Sequence, residues 1–204
     1  MIIRPRQTIL QIIGIVVVLC GITSVHAQSI AAGERKHGFC ASCHGIKGQS
    51  FKVNYPILAG QAAPYVLSQL RDFKQGRRHD PNMEAVVPQL NEEDMRDLAA
   101  YFASVKPYSN PSKSDPAKTI LGKKQAERRH CDSCHLGRAD PTISKVPRIQ
   151  GQHRNYMEKQ LKDFRAGQRV DDSGIMQSVA QSLTDADIEN LGNYFESISF
   201  GKRQ

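Results

Sequence analysis

The chain has 204 residues, a formal net charge of +8, 6% aromatic residues and no tryptophan. That length holds one large domain or two small ones. A domain of about 80–90 residues with so few aromatics has a thin core and commonly leans on a metal, a disulfide or a cofactor.

The first 27 residues read as an export address. Arg4 and Arg6 form a basic start, Ile9 to Ile22 is an apolar run, and Val25-His26-Ala27 offers small or apolar residues for cleavage after Ala27. The run is shorter than the roughly 20 residues of a membrane-spanning helix. Lipoprotein processing at Cys20 is the lesser alternative, since Val17-Val18-Leu19 lacks the small residue that such sites usually carry. Removing residues 1–27 takes two arginines and no acid, lowering the charge from +8 to +6. It also leaves four of the five cysteines. The remaining basicity is mild and does not argue for nucleic acid.

The rest of the chain predicts helices joined by loops. A short helix over about 30–39 leads into Cys40-Ala-Ser-Cys43-His44. Pro64 suits the first turn of a helix ending near Gly76, and a loop carrying Met83 precedes a last helix that starts at Asn91. Residues 106–116 hold three prolines and three serines and read as an extended linker. A helix over about 118–130 then leads into Cys131-Asp-Ser-Cys134-His135. A further helix runs from about Asn155 to Ala166, Met176 sits in a loop, and Thr184 with Asp187 forms a capping box for the final helix. Met95, Leu98, Ala99 and Phe102 recur at helical spacing, as do Ile188, Leu191, Tyr194 and Phe195. No alternating strand pattern of useful length occurs.

These elements are one unit used twice. An offset of 91 maps the first Cys-x-x-Cys-His onto the second, Pro56 onto Pro147, Gly60-Gln61 onto Gly151-Gln152, and Tyr65 onto Tyr156. It also maps Gln69-Leu-Arg-Asp-Phe73 onto Gln160-Leu-Lys-Asp-Phe164. Two extra residues near Val170 to Ile175 then shift the offset to 93. The expected organisation is a signal peptide at 1–27, an all-α domain at 28–105, a linker at 106–116 and an all-α domain at 117–204.

An exported chain with four cysteines would ordinarily form two disulfides. Here each pair is spaced Cys-x-x-Cys and followed by His, the pattern of covalent haem attachment. Two thiols three residues apart can each bond one vinyl group of a single porphyrin, and the next residue, His, lands on one face of the ring as an iron ligand. A thioredoxin-type dithiol expects a βαβ context, and zinc expects closer pairs. Cys40, Cys43 and His44 are therefore assigned to one haem and Cys131, Cys134 and His135 to another.

Low-spin carriers need a sixth ligand. Met83 lies 39 residues after His44, and Met176 lies 41 after His135, each in the matching loop of its copy. A lone Met is usually core filler, but recurrence at equivalent places points to thioether ligation, which raises an iron's potential. His79 is the rival to Met83, although copy two has no His in its matching loop. Met95 and Met157 lack Met counterparts and read as core. His37, His130 and His153 read as surface or locally hydrogen-bonded residues. Pro56 and Pro147, each 12 residues after a proximal His, can present a carbonyl to its second ring nitrogen.

On these residues the chain resembles the cytochrome c4 family of periplasmic dihaem cytochromes. The match runs through Cys40-Ala-Ser-Cys43-His44-Gly45, Pro56-Ile-Leu-Ala-Gly60-Gln61, the Gln69 to Phe73 run, Gly76, Arg78 and Met83, and through the second set ending at Arg169 and Met176. The resemblance implies two tandem class I cytochrome c domains about a pseudo-twofold axis, two covalently bound haem c groups with His/Met ligands, and electron delivery to a terminal oxidase. It implies that the matching proline carbonyl binds the proximal His. Leu136-Gly137 after His135, and Ile149-Gln150 before Gly151, depart from the pattern.

With both irons six-coordinate, outer-sphere electron transfer is the expected function, and no enzymatic activity is expected. Expected partners are redox proteins: an oxidase, a quinol-oxidising complex or a dehydrogenase, with loose membrane association left open. The alternatives are the dihaem subunit of a periplasmic dehydrogenase, such as a flavocytochrome that oxidises sulfide, and a dihaem peroxidase. The peroxidase needs one openable sixth position, and a Met in both copies opposes it.

Overall fold

A computed structural model describes residues 28–108, 110–111, 113–136 and 143–199. The export segment and its cleavage point lie outside the described residues. No helix among those described is long and apolar enough to cross a membrane.

The described residues form ten α-helices and no strand. The first copy holds α1 (Ile30–Lys36), α2 (Ala41–His44), α3 (Ala63–Lys74), α4 (Pro81–Val86) and α5 (Glu92–Ser104). The second holds α6 (Pro116–Arg128), α7 (Cys131–His135), α8 (Arg154–Arg165), α9 (Ile175–Gln181) and α10 (Asp185–Ser197). Several of the ends are chemically set. Asn91 caps α5 and Thr184 caps α10, both as capping boxes closed by Asp94 and Asp187. Pro64 lies in the first turn of α3, and Gly76 and Gly167 take positive φ after α3 and α8.

The first and last helices of each copy cross in contact, α1 on α5 and α6 on α10. The crossing is closer than a Cβ allows. A methyl at Gly33 would overlap the Asp97 carbonyl, and one at Gly122 would overlap the Asn190 carbonyl. Behind each crossing lies a separate core. Val66, Leu90, Met95, Leu98, Tyr101 and Phe102 pack in copy one. Ala126, Met157, Leu161, Ile188, Leu191, Tyr194 and Phe195 pack in copy two. Met95 and Met157 are thus core residues, as their helical spacing predicts.

The copies meet face to face across a pseudo-twofold axis. Gln152 accepts the Ile57 N–H at 2.9 Å and donates to the Ile57 carbonyl at 3.0 Å. Gln61 does the same to Arg148, at 2.9 Å each way. Arg78 and Arg169 form an isolated antiparallel bridge. The linker lies on this interface: Pro107 approaches Gly60, and the Tyr108 ring meets Phe51 edge-on at 5.7 Å.

Candidate haem sites

Both motif histidines are built alike. His44 ends α2 and His135 ends α7, each with only 8% of its surface exposed. His44 Nδ1 lies 2.9 Å from the Pro56 carbonyl, and His135 Nδ1 lies 2.8 Å from the Pro147 carbonyl. A carbonyl only accepts, so Nδ1 carries the proton in both rings and Nε2 keeps its lone pair. Burial pushes both imidazoles below their ordinary pKa, against the opposing pull of the proline carbonyls. The result is a neutral ring, fixed in tautomer, with Nε2 as donor to a metal.

The cysteines flank these rings. Among the described residues all four motif cysteines are free, with Cys134 exposed and the others half-buried. Burial pushes the Cys40 and Cys131 thiols up to about 11 before anything is bonded to them. Apolar side chains beside the motif and Met positions stand unusually open to water: Phe39, Ile46 and Phe51 in copy one, Val170 and Ile175 in copy two. Large apolar surface next to a buried metal-binding nitrogen is what a flat apolar ring would cover.

Met83 and Met176 are both half-buried, and Met176 packs against the second core. Each lies in a short helix rather than in the loop that the sequence predicts. Asp80 accepts from the Asn82 and Met83 amides and Pro81 opens α4. In copy two the Met176 amide donates to Asp171 at 3.1 Å, after Gly174 at φ 69° starts α9. Six or seven residues with an aspartate at the entry suffice for a helical turn, and the aspartates were the available signal. His79, the rival ligand, is exposed and 2.9 Å from Glu84.

Where the two copies meet, two buried arginines form one cationic cluster without an ion pair among the described residues. Arg78 donates to Gln69, Gln160 and the Tyr156 hydroxyl, at 2.7, 2.7 and 3.0 Å. Arg169 mirrors it, donating to Gln160, Gln69 and the Tyr65 hydroxyl at 2.8, 3.0 and 3.0 Å. Each guanidinium also sits over an aromatic ring at 4.5 Å, Arg78 over Phe73 and Arg169 over Phe164. Both arginines are 8% exposed, and the Arg169 Nε is buried with no hydrogen-bond partner. No carboxylate among the described residues makes an ion pair with either. Burial pushes the Tyr156 phenol up, yet the two arginines outweigh that and pull it below its ordinary value. A buried pair of charges normally needs a counter-charge. Propionates of a porphyrin have the right chemistry, so the unpartnered Arg169 Nε and the two buried charges fit a haem-binding site as the histidines do.

His153 is neither at the surface nor locally hydrogen-bonded through its ring, the two placements expected of it. It is 1% exposed and joins three segments. Its Nε2 donates to the Ser50 carbonyl at 2.9 Å, and its Nδ1 accepts from the Asn110 amide at 3.1 Å. Ser50 in turn donates to the Cys43 carbonyl at 3.3 Å. Domain two therefore braces the loop behind the first motif. Ala62 stands at this position in copy one, so the repeat gave no cue.

The sequence pattern described as Cytochrome c matches residues 30–106 and 120–199, one match per copy. The chain is 37% identical over 182 residues to cytochrome c4 of Pseudomonas aeruginosa, covering 84% of this chain and 90% of that one. This chain belongs to the cytochrome c4 family. Its fold agrees: the crystal structure of reduced recombinant cytochrome c4 from Pseudomonas stutzeri superposes with a TM-score of 0.78 at 35% identity, over 84% of this chain and all of the other. A thiosulfate dehydrogenase electron acceptor of Thiomonas intermedia (strain K12) is 30% identical over 179 residues, 81% of each chain. As a cytochrome c4 the chain is a dihaem electron-transfer protein with two tandem cytochrome c domains and two covalently bound haem c groups.

Proposed function

We propose that this cytochrome c4 is a mobile two-electron carrier of the bacterial periplasm that receives electrons from a quinol-oxidising complex or a dehydrogenase and passes them to a terminal oxidase. The observation that carries the reading is the duplicated, neutral, Nδ1-bonded histidine, His44 and His135, each behind its own Cys-x-x-Cys.

In this reading Cys40 and Cys43 hold one haem and Cys131 and Cys134 the other. His44 with Met83, and His135 with Met176, supply the axial ligands. The bound groups contribute a one-electron iron couple each. The chain's own part is to keep the couple rigid and dry. The proline carbonyls hold each ring in one tautomer, the two cores fix α2 and α7, and Arg78 and Arg169 receive propionate charge. Two ligands of unlike kind on each iron leave no vacant position, so the task is transfer rather than turnover.

A second reading places the chain as the electron acceptor of a sulfur-oxidising dehydrogenase. The likeness to the thiosulfate dehydrogenase electron acceptor favours it.

The test is purification from the periplasmic fraction, with intact mass and a pyridine haemochrome spectrum. The expected result is two covalent haems per chain on a polypeptide that starts at Gln28. One haem or none would sink the assignment. Stopped-flow mixing of the reduced protein with oxidase membranes, and of the oxidised protein with a thiosulfate dehydrogenase and thiosulfate, separates the two readings.

A further inference from the structure

Site two carries a charge that site one lacks. Asp132 stands between Cys131 and Cys134, where the first motif has Ala41. The Tyr194 hydroxyl donates to Asp132 Oδ2 at 3.2 Å, while Oδ1 is buried without a hydrogen-bond partner. In copy one Tyr101 occupies the place of Tyr194, and its hydroxyl is buried with no partner at all. The tyrosine is thus common to both copies, and the carboxylate is not.

The surroundings of Asp132 leave its charge poorly screened. Burial pushes its carboxyl above the ordinary carboxylate value, and burial together with Asp132 pushes the Tyr194 phenol up. Glu127 adds a charge of the same sign, and Lys123 offsets it. Arg129, on the same stretch, is engaged by Ser182 at 2.6 Å and by Asp187 at 3.6 Å. A half-buried carboxylate with one bare oxygen acts through a lower effective dielectric than an exposed one.

We propose that Asp132 makes the two haem sites unequal by lowering the reduction potential of the second. Its carboxylate lies one residue from one attachment cysteine and two from the other. Reduction adds one electron to the iron, so a nearby fixed anion favours the oxidised form. The inference rests on the attachment of haem at Cys131 and Cys134 given under Proposed function.

The test is a spectroelectrochemical titration of the holoprotein at pH 8. D132N keeps an acceptor for Tyr194 and removes the charge. It is expected to raise one of the two midpoints by about tenfold in the oxidised-to-reduced equilibrium, about 59 mV for one electron, and to leave the other in place. A41D installs the charge in the first motif and is expected to lower the other midpoint. Y194F removes the hydrogen bond but keeps the charge, so it is expected not to raise either midpoint. Unmoved midpoints in D132N, or an equal rise in Y194F, would overturn the proposal. Intact mass separates the two failures. Loss of haem from the second motif in the wild-type chain defeats the attachment reading, whereas two haems with unmoved midpoints defeat only this inference.

Discussion

Gln152 and Ile57 close a hydrogen-bonded ring across the two domains: the amide side chain takes the Ile57 N–H at 2.9 Å and returns its own N–H to the Ile57 carbonyl at 3.0 Å. The pair is buried, and Gln61 with Arg148 repeats it on the other side of the axis. Truncating Gln152 to Ala strands a buried backbone donor and acceptor. The expected cost is about 1–3 kcal/mol, since orphaned polar groups forfeit their full desolvation. Urea unfolding of the holoprotein reads it as a lower midpoint; an unchanged midpoint would mean that the interface tolerates the loss.

The helix crossings give a second expectation. Ala is the better helix former by roughly 1 kcal/mol. Gly33→Ala and Gly122→Ala nonetheless place a methyl onto the carbonyls of Asp97 and Asn190. Backbone cannot step aside as a flexible side chain can, and overpacking costs typically about 1–3 kcal/mol. Each variant is expected to melt below wild type by circular dichroism. A rise in Tm would show that the helices separate without penalty.

Met83 and Met176 are each expected to ligate one iron. Met83→Ala and Met176→Ala should each remove part of the far-red ferric band and create one cyanide-binding position. Full retention of the band in both variants would assign the sixth ligand elsewhere.

Acid stability is expected to depend on α1 and α5. Lys36 lies 2.6 Å from Asp94 and 3.0 Å from Asp97. For Asp97, burial alone would raise the carboxyl, but the Ser29 amide at 2.7 Å and Lys36 outweigh it and bring it below the ordinary 3.8. The Lys36 bond draws Asp94 down in the same way. A carboxyl lowered in the folded state stabilises the protein above its unfolded pKa and loses that contribution as pH falls through the folded one. Wild type should therefore lose stability below about pH 4. Asp97→Asn should be less stable at pH 7 and show a shallower decline from pH 5 to 3. Melting curves across that range check it, and equal slopes in both proteins would remove Asp97 from the account.

Much of the site is local in sequence. Two cysteines, the following His and a proline 12 residues on lie within one short segment, so spacing alone was enough to pair them, and duplication marked Met83 and Met176 as equivalent. The helical character of α4 and α9 was not legible, because six or seven residues show no periodicity and only Asp80 at the cap of α4 and Asp171 ahead of α9 betray them. His153 was also missed, since its partners Ser50 and Asn110 lie 103 and 43 residues away.

The chain's own order of residues determined two all-α units, two covalent attachment motifs and the repeat, since each depends on neighbours within a few turns of helix. Only the tertiary structure decided how the units face each other. Gln69, Arg78, Gln160 and Arg169 look like ordinary repeat positions in one dimension. Folded, they converge from both copies into one buried cationic cluster. The reason is physical: a pseudo-twofold axis pairs each residue with the other copy's neighbour, and no spacing along the chain records that.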